Sequence, residues 1–319
     1  MGLGKLRIVD PLADTLTRRL AWANLAAHVG IIVTGGLVRL TGSGLGCSTW
    51  PMCEPGSFTP VFHEAASIHP FIEFGNRTLT GVLTVISLAL LWAVHRREPV
   101  RSRPPVFRRL ARVVLLLILA QAVIGGLSVL ADLHPAIVGS HMYISLALVA
   151  VSAYLVARLR QPDGPATPPP GQLPRLVTAL AVVGAALMVA GVVTTGTGPH
   201  SGDATAPARF ALDPVLVTRV HSGLAWLFVG VLAATAVAGT RHGLGWRRWS
   251  GVIAVTVAQG LVGYVQYFTG LPEALVAVHM LLSALLVAAL TMSITGLWPR
   301  LPLPPGPQRI QGLSAARRP

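Results

Sequence analysis

Three histidines lie inside long apolar segments of the chain: His141, His221 and His279. An ionisable side chain inside an apolar segment is costly and usually has a functional role. Neutral imidazole is a good axial ligand for haem iron, and two imidazoles from neighbouring helices can hold a flat macrocycle between them. Because His221 and His279 both belong to the C-terminal half, the sequence favours a bis-histidine haem site there. The alternative is that each histidine only donates a hydrogen bond at a helix–helix contact.

The composition indicates what kind of secondary-structure element holds these histidines. Of the 319 residues, 53% are hydrophobic and only 11% are charged, and the mean hydropathy is +0.65. A soluble domain carries about a quarter charged residues, so a soluble protein is excluded. We predict an all-α integral membrane protein with eight transmembrane helices, each of about 20 residues. The predicted spans are 20–38, 71–94, 110–131, 136–157, 174–195, 214–238, 248–270 and 273–296.

The charges predict the orientation of these helices. The chain has 25 Lys and Arg against 11 Asp and Glu, a net charge of +14. Such a balance can indicate nucleic-acid binding, but here 21 of the 25 cations fall in the two terminal segments and in loops on one side of the membrane. This is the distribution of the positive-inside rule. It predicts that both termini are cytoplasmic and that the partner is the lipid bilayer, not nucleic acid.

The two halves of the chain resemble each other. The segments QAVIGG at 121–126 and SHMYISLALVA at 140–150 recur, 138 residues later, as QGLVGY at 259–264 and VHMLLSALLVA at 278–288. A repeat that spans four helices preserves orientation, so we predict two pseudo-symmetric four-helix bundles. Gln121 and its counterpart in the second half are predicted to make hydrogen bonds between helices.

The repeat and the charges together predict five regions. They are a cytoplasmic N-terminal segment at 1–19, an N-terminal four-helix bundle at 20–157, a Pro-rich cytoplasmic linker at 158–173, a C-terminal four-helix bundle at 174–296 and a cytoplasmic tail at 297–319.

All three histidines lie roughly 8–12 Å below the outer membrane boundary, at 1.5 Å per residue. In the N-terminal bundle, Glu73 and Asn76 are three residues apart and therefore share one helix face. Position 76 has the depth at which a second histidine is expected. Glu73 could take or pass protons, or it could pair with Arg77. His69 is a substitute ligand if this helix begins earlier.

Three motifs carry a family resemblance. GGLVRLTGSGLGCSTWPMC at 35–53, IEFGNR at 72–77 and single histidines in the fourth, sixth and eighth spans resemble the haem A synthase family, in its bacterial form with two cysteines in the first loop. The resemblance implies oxidation of the methyl group of haem O to the formyl group of haem A, by successive hydroxylation. It also implies a location in the plasma membrane, an unknown electron donor, and haem O synthase and cytochrome oxidase assembly as partners.

The resemblance also implies roles for particular residues. His221 and His279 would ligate the iron of a haem b cofactor in the C-terminal bundle. Glu73 and His141 would serve the substrate haem in the N-terminal bundle, where Asn76 occupies the family's second histidine position and would leave one axial face open. The alternative function is a di-haem b-type cytochrome that relays electrons without modifying haem.

Four outer residues complete the resemblance. Cys47 and Cys53 lie in a compartment that is oxidising, and they can close into a disulfide that either staples the loop or takes part in redox chemistry. The second outer loop has no cysteine, so a relay between two cysteine pairs is excluded. Arg39 and Arg77 could contact haem propionates or pair with nearby glutamates.

Overall fold

Eight long helices build the protein in a computed structural model that describes residues 12–61, 67–203 and 205–302. Each helix is long and apolar enough to cross a membrane, and the described residues contain no β-strand. The predicted all-α membrane protein with eight transmembrane helices is confirmed. Residues 1–11 of the predicted N-terminal segment and 303–319 of the predicted tail lie outside the described residues. The helices are α1 (Thr15–Leu40), α2 (His69–Arg96), α3 (Val106–Leu130), α4 (Pro135–Leu159), α5 (Leu173–Thr197), α6 (Pro214–Arg241), α7 (Arg247–Phe268) and α8 (Glu273–Gly296).

Capping residues and prolines determine where several helices begin. The carboxylate of Asp14 accepts hydrogen bonds from the backbone N–H groups of Leu16 and Thr17, so α1 begins before its apolar stretch. Proline stands in the first turn of α2, α4, α5 and α6, where its missing N–H costs nothing. The side chain of Asp213 also caps α6.

The first four helices pack in a ring, with α1 and α3 each in contact with both α2 and α4. Buried apolar side chains of these helices form two clusters, and a polar network joins three of the helices. Asn24 of α1 donates to the hydroxyl of Ser152 on α4 at 3.0 Å and accepts from the hydroxyl of Ser87 on α2 at 2.7 Å. All three side chains are buried. Small polar side chains of this kind hold membrane helices together where no hydrophobic force acts between them.

The last four helices pack as two pairs, α5 with α6 and α7 with α8, whereas α6 and α7 make few contacts. Phe228, Trp249 and Leu286 belong to a buried cluster shared by all four helices. Helix α8 also contacts α1 and α4, and α4 contacts α5. At Gly36 the backbone of α1 comes close to Met280 of α8, since a Cβ atom there would lie 2.7 Å from the Met280 sulfur.

Two sets of backbone hydrogen bonds join distant segments at opposite ends of the helices. In what we call the loop strap, the N–H of Gly44 donates to the carbonyl of Gly202 at 2.9 Å. In the linker strap, the N–H of Gly164 donates to the carbonyl of Leu301 and the N–H of Thr167 to that of Pro299, both at 2.9 Å. The predicted bundle boundaries, the pseudo-symmetry and the orientation of the termini stay predictions.

A buried ion pair anchors the linker strap to the first half. Arg103 donates to both carboxylate oxygens of Asp163, at 2.7 and 2.9 Å, and its guanidinium lies 4.1 Å from the ring centre of Phe107. Arg158 approaches the same carboxylate at 3.5 Å. Two buried guanidinium groups therefore depend on one carboxylate.

Candidate functional site

His221 of α6 and His279 of α8 face each other inside the C-terminal half. Their ring centres are 6.4 Å apart and their planes differ by 72°. The Nδ1 atom of each ring is buried and has no hydrogen-bond partner in the described part of the chain, a state that costs free energy unless a ligand satisfies it. Two imidazoles that bind one metal ion from opposite sides through bonds of about 2 Å place their ring centres about 6 Å apart. The pair therefore fits a bis-histidine metal site.

Glycines on the neighbouring helices allow both rings to lie close to the backbone. A Cβ atom on Gly191 of α5 would lie 3.1 Å from Cε1 of His221, and one on Gly263 of α7 would lie 3.2 Å from Cε1 of His279. Both distances are shorter than ordinary van der Waals contact. Helices α5 and α7 thus form the back wall of the histidine pair.

His141 of α4 has surroundings that match those of His279. Its Nε2 lies 3.2 Å from the carbonyl oxygen of Gln121, and a Cβ atom on Gly125 of α3 would lie 3.3 Å from the same nitrogen. Gly125 precedes Gly263 by 138 residues, the spacing of the sequence repeat. The structure does not bring His141 into contact with the pair in the C-terminal half. His141 lies instead in the ring formed by α1 to α4.

Glu73 is buried near the start of α2, with 6% of its surface exposed. Its Oε2 atom accepts the backbone N–H of Cys47 at 2.7 Å, and its Oε1 atom accepts from Arg77 at 2.6 Å. The expected pairing of Glu73 with Arg77 is thus present. The guanidinium of Arg77 also donates to the carbonyls of Thr49 and Met52, at 3.1 and 3.2 Å. The pair therefore binds the loop between α1 and α2 to α2, and a proton-transfer role of Glu73 stays a prediction.

The loop above Glu73 is closed by a disulfide between Cys47 and Cys53, both fully buried. Its Trp50 ring lies against Gly126 of α3, where any side chain would collide with the indole. The loop therefore rests on α2 and α3 together, at one end of the ring of helices.

Three other predicted site residues have partners that the sequence does not identify. Asn76 accepts a hydrogen bond from the hydroxyl of Thr34 on α1 at 2.8 Å. His69 is the first residue of α2, and its Nδ1 lies 2.7 Å from the hydroxyl of Ser43. Arg39 donates to the carbonyl of Thr195 at 2.7 Å and to that of His200, and it pairs with no acidic side chain in the described ranges.

Sequence reasoning missed the glycines behind the histidine rings. For Gly125 and Gly263 the signal is the spacing Gln-x-x-x-Gly in α3 and α7, which places a glutamine and a glycine on one face of each helix. Gly191 of α5 has no such signal. It also missed that Arg39 contacts the other half of the chain, because two residues 156 positions apart meet there.

Comparison with known proteins gives a family match and several relatives. The family model COX15-CtaA, described as "Cytochrome oxidase assembly protein", matches residues 18–209. A protein of Geobacillus thermodenitrificans named "Heme A synthase" is 34% identical over 139 residues, which are 43% of this chain and 41% of that protein. A protein of the same name from Bacillus pumilus (strain SAFR-032) is 36% identical over 133 residues, 40% of each chain.

A third relative, named "Heme A synthase" and found in Geobacillus kaustophilus (strain HTA426), is 32% identical over 127 residues, 40% of this chain and 37% of that protein. The chain spans about two fifths of the length of the curated relatives that it matches.

Proposed function

The chain belongs to the COX15-CtaA family of cytochrome oxidase assembly proteins, and we propose that it is a haem A synthase, which oxidises the methyl group of haem O to the formyl group of haem A. The observation that carries this proposal is the pair His221 and His279, with ring centres 6.4 Å apart and a buried, unpartnered Nδ1 on each ring within the described residues. The names of the relatives support the same activity.

In this proposal His221 and His279 hold a haem b cofactor by its iron. Oxidation of an unactivated C–H bond is beyond any side chain, and haem iron supplies that redox chemistry when bound. The glycines behind the two imidazoles let the rings lie close to the backbones of α5 and α7. The described residues offer no group of three or more His, Cys, Asp or Glu that could hold a different metal.

The substrate haem O is proposed to lie in the ring of α1 to α4, with its iron on His141. Asn76 lies where a second imidazole is expected, and its amide oxygen is engaged by Thr34. One axial face of the substrate iron would therefore lack a strong protein ligand. Glu73 would exchange protons at this site, from a position held by Arg77 and by the N–H of Cys47.

The outer cations and the disulfide have supporting roles in the proposal. The guanidinium of Arg77 already donates to Glu73 and to two backbone carbonyls. Arg39 has no acidic partner in the described ranges and is therefore the better candidate to contact a propionate. The Cys47–Cys53 disulfide would hold the loop that presents its N–H to Glu73. The protein would act in the plasma membrane with both termini cytoplasmic. Haem O synthase would supply its substrate, and cytochrome oxidase assembly would use its product.

The deciding experiment is extraction of haems from membranes of a host that makes haem O, with and without this chain. Appearance of haem A only with the chain supports the proposal. If the purified chain binds haem b but no haem A appears, the alternative of a di-haem b cytochrome without haem modification is favoured.

Alanine variants test the ligand pair. We expect His221→Ala and His279→Ala to abolish the haem b absorption of the purified protein. His95→Ala is the matched control, because His95 is exposed and its ring lies against a carbonyl of its own helix. Full haem b content in either ligand variant would contradict the assignment.

A second pair of variants separates the two roles of Glu73. Glu73→Gln and Arg77→Gln both break the ion pair, but only the first removes the carboxylate. If the carboxylate moves protons, haem A yield falls much further in Glu73→Gln than in Arg77→Gln. Equal losses would mean that Glu73 serves only to anchor the loop.

A further inference from the structure

We propose that Gln121 and Gln259 are positioning residues that hold the iron-binding imidazole of the next helix, a role that rests on the proposed function of His141 and His279. Each glutamine holds its histidine at two points: through its own backbone carbonyl, which faces the ring, and through its side-chain amide. The amide of Gln121 reaches the backbone carbonyl of His141 directly, whereas that of Gln259 reaches the carbonyl of His279 through the hydroxyl of Ser283. We call this arrangement the glutamine clasp.

In the N-terminal half every contact of the clasp is short. The amide of Gln121 donates to the backbone carbonyl of His141 at 2.9 Å and to the hydroxyl of Ser145. That hydroxyl donates to the same His141 carbonyl at 3.0 Å. The ring nitrogen Nε2 of His141 lies 3.2 Å from the Gln121 carbonyl. Helix α3 therefore holds both the backbone and the ring of His141.

The C-terminal half repeats this arrangement with the corresponding residues. The amide of Gln259 donates to the hydroxyl of Ser283 at 2.8 Å, and that hydroxyl donates to the backbone carbonyl of His279 at 2.9 Å. The ring of His279 interacts with the backbone carbonyl of Gln259. All three residues follow their counterparts by 138 positions. His221 differs, because its ring interacts with the carbonyl of Leu187 and no glutamine takes part.

The clasp has a direct effect on metal binding. A carbonyl oxygen can only accept, so the ring nitrogen that faces it carries the proton and the opposite nitrogen keeps the lone pair that a metal requires. In His141 the nitrogen that faces the carbonyl is Nε2, which leaves Nδ1 as the opposite one. In His279 the Nδ1 atom is buried and unpartnered within the described residues. Outer groups of this kind orient a ligand histidine and raise its basicity, and their loss typically lowers metal affinity about 10–100-fold.

A merely structural glutamine would join α7 to α8 without influencing the metal. The difference can be measured, because ligand orientation and basicity affect the reduction potential and spectrum of the bound haem. Helix adhesion affects only the stability of the protein. The two roles therefore predict different results for the same variant.

The test compares full-length Gln259→Leu and Ser283→Ala with wild type, each purified with bound haem b. Both variants keep the backbone carbonyl that faces the ring and lose only the contact that fixes the backbone of His279. We therefore expect an effect at the lower end of the range, with the dissociation constant of haem b about 10-fold higher, a shifted reduction potential and a changed low-spin signal in electron paramagnetic resonance. Ser283→Thr keeps the hydroxyl and is expected to restore wild-type values. The double variant Gln259→Leu with Ser283→Ala is expected to bind haem b as tightly as Gln259→Leu alone, because the two side chains belong to one chain of hydrogen bonds.

Thr256→Val is the matched control. Thr256 lies on the same helix about one turn earlier, and its hydroxyl donates only to Val252 of its own helix at 2.7 Å. If Gln259→Leu alters melting temperature but leaves the haem potential, spectrum and affinity at wild-type values, the clasp is overturned and the proposed function stands. If wild type itself binds no haem b, both proposals fail together.

Discussion

Removal of the Cys47–Cys53 disulfide should loosen the loop that covers Glu73 without unfolding the helices. The variant replaces both cysteines with serine. The cross-link joins positions six apart, and closure of so short a loop is worth about 2.4 kcal/mol by loop-closure entropy. Since every 1.4 kcal/mol is a factor of ten, the loop should open about 50-fold more often.

Hydrogen exchange of the backbone amides measures this opening directly. The amide at position 47 is buried and donates to Glu73 at 2.7 Å, so in wild type it exchanges only when the loop opens. We expect its exchange to be about 50-fold faster in the double serine variant. The amide of Gly44 should be unchanged, because its bond to Gly202 belongs to the loop strap.

Two controls make the result decisive. Ser48→Ala changes an exposed residue inside the same loop and should leave exchange at position 47 unaltered. Reduction of the wild-type disulfide should reproduce the double variant. Unchanged exchange after loss of the disulfide would refute the reasoning, since the ion pair of α2 would then suffice to hold the loop.

Two further predictions concern charges at the two ends of the helices. Asp163→Ala leaves the guanidinium of Arg103 buried without its carboxylate, and breaking a buried pair costs about 3–5 kcal/mol of stability. Arg97→Gln removes a pair whose cation is exposed and should cost less than about 1 kcal/mol. Thermal melting in detergent compares the two variants, and equal melting temperatures would contradict the argument. In the loop between α5 and α6, hydrogen bonds from the backbone and side chain of Thr205 hold the pKa of Asp203 below its ordinary value of 3.8. A lowered carboxyl pKa stabilises the fold above about pH 4 and loses that effect as the pH falls further, so the Thr205 amide should lose protection against exchange below pH 4 but not in Asp203→Asn.

The sequence predicts the helices well because lipid demands long apolar segments. The span predicted at 248–270 is the helix Arg247–Phe268, and that at 71–94 is His69–Arg96. The first helix differs most, since it begins at Thr15, five residues before the predicted span. Its first turn is polar and basic, so a search for apolar segments leaves this turn out of the predicted span. The turn is helical because Asp14 caps it.

The candidate site is less accessible to sequence reasoning because its contacts join distant positions. The spacing of Glu73 and Arg77 predicts a pair on one helix face, and the structure contains it. Nothing in the sequence indicates that Asn76 meets Thr34, or that Arg39 reaches the carbonyl of Thr195. Those contacts depend on how α1 packs against α2 and against the second half of the chain.

The two straps bear on how the molecule comes apart. The loop strap and the linker strap tie the same two halves at opposite ends of the helices, and α1 and α4 contact α8 between them. Neither half can swing away from the other about a hinge without breaking backbone bonds at one end. A single cooperative melting event is the expected consequence, in which the histidine pair of the second half and His141 of the first lose their surroundings together.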